Sequence, residues 1–156
     1  FLDIFKIVNQ QKGSNIIYPF YFSYQQSLFI INNSIGMSNS VKKIKSIINE
    51  NKSAKNIFIV THNVLPKILK VHANSESKYP YIEDDKFLDL GKEIKNKNIH
   101  FIYGDGGAFP YKKRLVCKKI GNTFHVVNGI GDKEDDLILI INKGIIYKKN
   151  INEKDF

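Results

Sequence analysis

The sequence predicts an α/β fold: a mixed sheet carrying helices and finished by C-terminal antiparallel hairpins. Three observations carry that prediction. Two nearly continuous apolar runs, within "NIFIVTHNVLP" (56–66) and "IHFIY" (99–103), have the character of strands buried on both faces. Segments with apolar residues at helical spacing precede and separate them. Two hairpin signals follow, around Gly121-Asn122 and around Asn142-Lys143-Gly144. A chain of 156 residues, 42% of them hydrophobic, suits a single domain spanning 1–156.

Each element has its own signal. "YFSYQQSLFIIN" (21–32) reads as two short strands, because Phe, Tyr and Ile favour strands and Gln25-Gln26 breaks the run. "SNSVKKIKSIINENK" (38–52) reads as an amphipathic helix. Val41, Ile44, Ile47 and Ile48 share one face, lysines cover the other, and Ser38 or Ser40 caps the start. The strand beginning at Asn56 ends at Thr61-His62-Asn63, where Pro66 stops regular pairing. A polar loop spans 72–81. "DDKFLDLGKEIKNKN" (84–98) reads as a second helix, weakened by Gly91, which costs about 1 kcal/mol of propensity relative to Ala.

Charge and cysteine content narrow the classes. The formal net charge is +9, which invites nucleic acid as a partner. Yet Arg114 is the only arginine, and Arg is the side chain best suited to bidentate phosphate and guanine contacts. The scattered lysines therefore leave a nucleic-acid-binding module as a lesser alternative. Cys117 is the single cysteine, so the chain has no internal disulfide, and it reads as a small strand residue. No apolar run approaches the ~20 residues of a transmembrane helix, and nothing in the sequence sets a compartment.

The chemistry concentrates at two strand ends. One apolar run delivers His62 into a loop, and the other delivers Asp105 within "YGDGGAF" (103–109). Sites in open α/β sheets form beyond the carboxyl ends of the strands. An imidazole and a carboxylate meeting there suit Zn, Mn or Fe. Gly104, Gly106 and Gly107 fit a tight turn that brings backbone close to a ligand. The other histidines have blander readings. His72 belongs to the polar loop, and His100 and His125 lie inside strand-like runs, as hydrogen-bonded or edge-strand residues. "GDKEDD" (131–136) lacks the alternating ligands of a calcium loop and reads as a solvated turn. Tyr111, Lys112, Lys113 and Arg114 suit either an anion-attracting patch or a lysine-guarded sheet edge.

Read in order, these elements resemble the C-terminal half of a calcineurin-like metallophosphoesterase. The likeness rests on a strand pair ("YFSYQQSLFIINNS") and a helix ("VKKIKSIINENK"). A strand ending in His-x-x-x-Pro ("IFIVTHNVLP"), a second helix and a strand ending in a glycine turn ("IHFIYGDGGAF") follow, and Gly-containing antiparallel strands complete it. The family's Gly-His-x-His element stands here as Gly104-Asp105-Gly106-Gly107. Asp105 keeps an oxygen ligand where the first histidine would be, while Gly107 offers no side chain. Asn63 stands where a second histidine is frequent.

The resemblance implies a metal-dependent phosphoesterase that hydrolyses a phosphate ester with two divalent ions, Mn, Fe or Zn. His62 and Asp105 are the implied metal ligands, and Asn63 with Gly104, Gly106 and Gly107 the implied substrate contacts. The family's Asp-x-His, Gly-Asp-x-x-Asp and Gly-Asn-His motifs are absent from these 156 residues. Together with a first residue that is Phe1 rather than Met, this leads us to expect an incomplete domain lacking its N-terminal half, and negligible hydrolysis from the chain alone. A non-catalytic relative serving as a binding or scaffold domain is the main alternative.

Overall fold

The computed structural model describes residues 19–32, 37–62, 84–104, 116–127 and 137–150. Their order is β1 (Phe20–Tyr24), β2 (Ser27–Ile31), α1 (Met37–Glu50), β3 (Asn56–Thr61) and α2 (Asp84–Glu93). β4 (Asn98–Tyr103), β5 (Val116–Ile120), β6 (Thr123–Val127), β7 (Leu137–Asn142) and β8 (Ile145–Asn150) follow. Six strands form one sheet in the order β1-β2-β3-β4-β6-β5, and β7 pairs with β8 separately. β2, β3, β4 and β6 run parallel, with β1 and β5 antiparallel at the two edges. The mixed α/β architecture and both C-terminal hairpins therefore match the sequence reading.

The period-2 alternation of strands sorts the sheet into two faces. On one face, Leu28, Ile30, Ile57, Ile59, Ile99, Phe101 and Tyr103 form a core with Ile44, Ile47 and Ile48 of α1 and Phe87 and Leu90 of α2. Both helices lie on this face because the chain steps steadily from β2 to β3 to β4 through crossovers of one hand. Each buried Ile or Phe contributes roughly 1.5–3 kcal/mol relative to an exposed one. An ion pair between Lys45 and Glu93 joins the outer surfaces of the helices.

The opposite face carries a stack of rings. Phe22, Phe29, Phe58, His100 and Phe124 sit in register across five strands, with neighbouring centroids 5.0, 5.0, 4.8 and 4.9 Å apart. Lys119 of β5 closes the row, with its ammonium 5.2 Å from the Phe124 centroid. Such cross-strand pairs fix register as well as adding stability.

Turns and ends have local causes. Gln25 and Gln26 both take positive φ, 45° and 62°, as a two-residue hairpin demands, although neither is glycine. Lys143 and Gly144 do the same between β7 and β8. There a Cβ on residue 144 would run into the Asn56 side chain, so Gly144 serves both turn and contact. Helix α2 stops at Glu93, short of the predicted stretch. Lys97, just beyond it, donates to the carbonyls of Asn51 and Lys52 (3.1 Å each) and of Ala54. It thus satisfies carbonyls of the turn that follows α1, whose own last turn has no basic residue.

Gly91 also has a packing reason. A Cβ on it would stand 2.6 Å from Thr123 Cγ2, so glycine lets α2 approach the start of β6. Sequence propensity registered only its cost.

Candidate functional site

β3 and β4 are neighbours, with Thr61 opposite Tyr103 in the parallel register. Pairing continues one step further, since the Gly104 amide donates to the Thr61 carbonyl at 3.0 Å. His62 and Gly104 therefore leave adjacent strands side by side at the carboxyl edge. His62 is exposed there. A Cβ placed on Gly104 would lie 3.7 Å from His62 Nδ1.

The expected role of Gly104 changes in one respect. Its backbone is not left-handed, unlike Gly121 and Gly144, and a side chain on it would make ordinary contact. Gly104 therefore lies close beside the His62 ring without backbone strain. Asp105, Asn63, Gly106 and Gly107 lie outside the described residues, as do His72, residues 111–114 and the acidic stretch 131–136. Among the described residues, no group of three or more His, Cys, Asp or Glu side chains gathers to hold a metal.

The same edge holds a residue that sequence reasoning missed. Asn32 follows β2 and its amide donates to the Val60 carbonyl at 2.9 Å. It is only 4% exposed, and among the described residues neither Nδ2 nor Oδ1 has a hydrogen-bond partner. The signal was present: "FIIN", "IVTH" and "IYGD" each end an apolar run with a polar, ligand-capable side chain.

No protein-family model, curated protein or solved structure matches the chain. Its chemistry has to be read from the residues themselves.

The two strand histidines are not at an edge, because β4 and β6 are both interior strands. His125 is fully buried between two hydroxyls: Tyr103 Oη lies 2.8 Å from Nδ1 and Thr123 Oγ1 lies 2.8 Å from Nε2. Thr123 gives its hydroxyl proton to the Ile120 carbonyl at 2.8 Å. It must therefore accept from Nε2–H, which leaves Nδ1 to accept from Tyr103. His125 thus ties β4 to β6 directly below Gly104.

His100 is stacked between Phe58 and Phe124 on the other face. Its Nδ1 is buried without a partner. Burial lowers its pKa below 6.5, against a smaller opposing effect of a hydrogen bond with the Ile57 backbone. A groove of about 360 Å³ lies beside it, lined by Asn98, Phe124, Gly144, Ile145 and Ile146. That groove sits at the amino end of β4, away from His62. No helix among the described residues is long and apolar enough to cross a membrane.

Proposed function

We propose that this chain contributes part of a two-metal phosphoesterase site, with His62 and Asp105 as protein ligands from neighbouring strand ends. The observation that supports the reading is the side-by-side exit of His62 and Gly104 from the carboxyl ends of neighbouring parallel strands. Two divalent ions ~3.5–4 Å apart would supply Lewis acidity toward a phosphate ester and a water made acidic enough to attack it. The role of this chain is to hold and orient. His62 offers a ring nitrogen from a rigid parallel strand, and Asp105 offers oxygen from the next one. Asn63 and the backbone around Gly104, Gly106 and Gly107 position the phosphoryl oxygens. Two ligands hold one ion weakly. The remaining ligands therefore come from a segment bearing Asp-x-His and Gly-Asn-His motifs, in the same polypeptide or in a partner.

A calorimetric titration with Mn²⁺, in the presence and absence of inorganic phosphate, tests this reading. The expected result is weak Mn²⁺ binding that phosphate tightens, abolished in His62→Ala and Asp105→Asn. Mn²⁺ binding unchanged by either substitution would refute it. Binding that depends on His62 but ignores phosphate would favour a metal-holding scaffold domain instead.

A further inference from the structure

The helix-side face of the sheet ends in a polar residue at its carboxyl edge. Strand alternation carries Leu28, Ile30 and then Asn32 along that face, and the bond from the Asn32 amide to the Val60 carbonyl extends the parallel ladder through residue 32. Asn32 therefore lies level with Thr61, while His62 leaves β3 toward the opposite face. Leu28 and Ile30 form a core with Ile44, Ile47 and Ile48 of α1, so the next side chain in their row comes under the amino-terminal part of that helix. The direction of α1 is fixed at its other end. The segment joining it to β3 is tied to the start of β2, where the Lys55 amide donates to the Gln26 carbonyl at 3.1 Å. Since β2 and β3 are parallel, α1 ends at the amino edge of the sheet and begins at the carboxyl edge, beside Asn32.

Donors from two elements meet there. The first-turn amides of α1 have no acceptor within the helix and carry its positive dipole end, and that turn has no acidic residue to answer them. Asn32 is 4% exposed, and among the described residues neither its Nδ2 nor its Oδ1 has a hydrogen-bond partner. A leucine would extend the row of Leu28 and Ile30 without leaving a buried polar group unpaired. An unsatisfied buried amide aimed at a helix amino terminus is explained most directly by a bound group that pairs with both.

We propose that Asn32 and the first-turn backbone of α1 form an anion site for inorganic phosphate in its singly protonated form. Phosphate oxygens accept from Asn32 Nδ2 and from the amides of Met37, Ser38 and Asn39, the usual arrangement of an anion at a helix amino terminus. The remaining P–OH donates to Oδ1, the one acceptor among these groups. Sulfate has the same shape but no proton at neutral pH, so it leaves Oδ1 unpaired. Burial of Asn32 leaves no way out for an ester substituent, which selects the free ion. This site needs no cation and lies on the other face of the sheet from His62, so it stands independently of the two-metal reading.

Inorganic phosphate and sulfate are the probes, titrated calorimetrically at neutral pH in metal-free buffer into wild type, Asn32→Leu and Asn32→Asp. Amide spectra are recorded during each titration, and each protein is melted without ligand. Wild type is expected to bind phosphate about ten-fold or more tightly than sulfate, with shifts at the amides of Met37, Ser38 and Asn39. Asn32→Leu should melt no lower than wild type and lose the preference for phosphate. Asn32→Asp places a carboxylate where the anion would sit, so it should take the helix amides itself and bind neither probe. Wild type that binds neither anion, or both equally, would overturn the proposal, as would first-turn amides that phosphate leaves unmoved. A lower melting temperature for Asn32→Leu with its phosphate preference intact would make the amide structural and overturn it too. Because no metal is present, none of these outcomes depends on the His62 site.

Discussion

His62 Nδ1 faces Gly104 across two parallel strands, 3.7 Å from where a Cβ on that glycine would stand. The hydrogen bond from the Gly104 amide to the Thr61 carbonyl fixes the two main chains side by side. A methyl group at 104 fits without strain yet takes up the space a cation and its other ligands need, given metal–nitrogen bonds of ~2.0–2.1 Å. Gly104→Ala should therefore melt within a few degrees of wild type while losing most of its Mn²⁺ affinity. Equal loss of stability and affinity would mean that the glycine serves the fold.

Gly91→Ala should destabilise the protein, against its helix propensity. Alanine gains about 1 kcal/mol in a helix interior, but here its methyl would meet Thr123 Cγ2 at 2.6 Å. Thr123 is held by its hydrogen bonds to His125 and Ile120 and cannot turn aside freely. Overpacking of this kind costs roughly 1–3 kcal/mol, measurable as a lower urea midpoint at unchanged slope.

Tyr103→Phe removes the hydroxyl that donates to His125 Nδ1 in a fully buried setting. The expected loss is about 1–3 kcal/mol. Hydrogen exchange should also quicken locally at the carboxyl ends of β4 and β6, because this bond ties those strands together. An effect confined to global stability would leave His125 as packing alone.

The acid side of the stability profile should carry the mark of His100. Its folded pKa is lowered from 6.5 by burial, so between the two values the unfolded chain binds a proton that the folded one refuses. Stability is unaffected by this group above about pH 6.5 and falls as pH drops below it, levelling off under the folded pKa. Urea unfolding at pH 7.5 and 5.5 should show that decline. His100→Phe, which extends the ring stack, should flatten it. An unaltered slope in the variant would assign the decline to other groups.

The two central strands were legible because Ile57 to Val60 and Ile99 to Phe101 have no polar interruption apart from His100, and such runs need cover on both faces. The glycine hairpins were legible from residues 121–122 and 143–144 for an equally local reason. The meaning of His100, Gly91 and Asn32 was not, because each depends on a partner strand far away in sequence. His100 belongs to an interior strand only once β6 pairs with β4. Gly91 matters only where Thr123 arrives, and the burial of Asn32 cannot be read from the run of residues before it. His62 and Asp105 were singled out because both end apolar runs, but that His62 stands beside Gly104 emerges only from the β3–β4 register.

Paramagnetic broadening of backbone amides by sub-stoichiometric Mn²⁺ probes the shared cation most directly, because its reach is short and residue-resolved. Amides flanking His62 and those flanking Gly104 and Asp105 should fade together at the lowest Mn²⁺ additions, and both sets should persist in His62→Ala. Fading at one strand end without the other, or only along the acidic stretch 132–136, would contradict a cation held between β3 and β4.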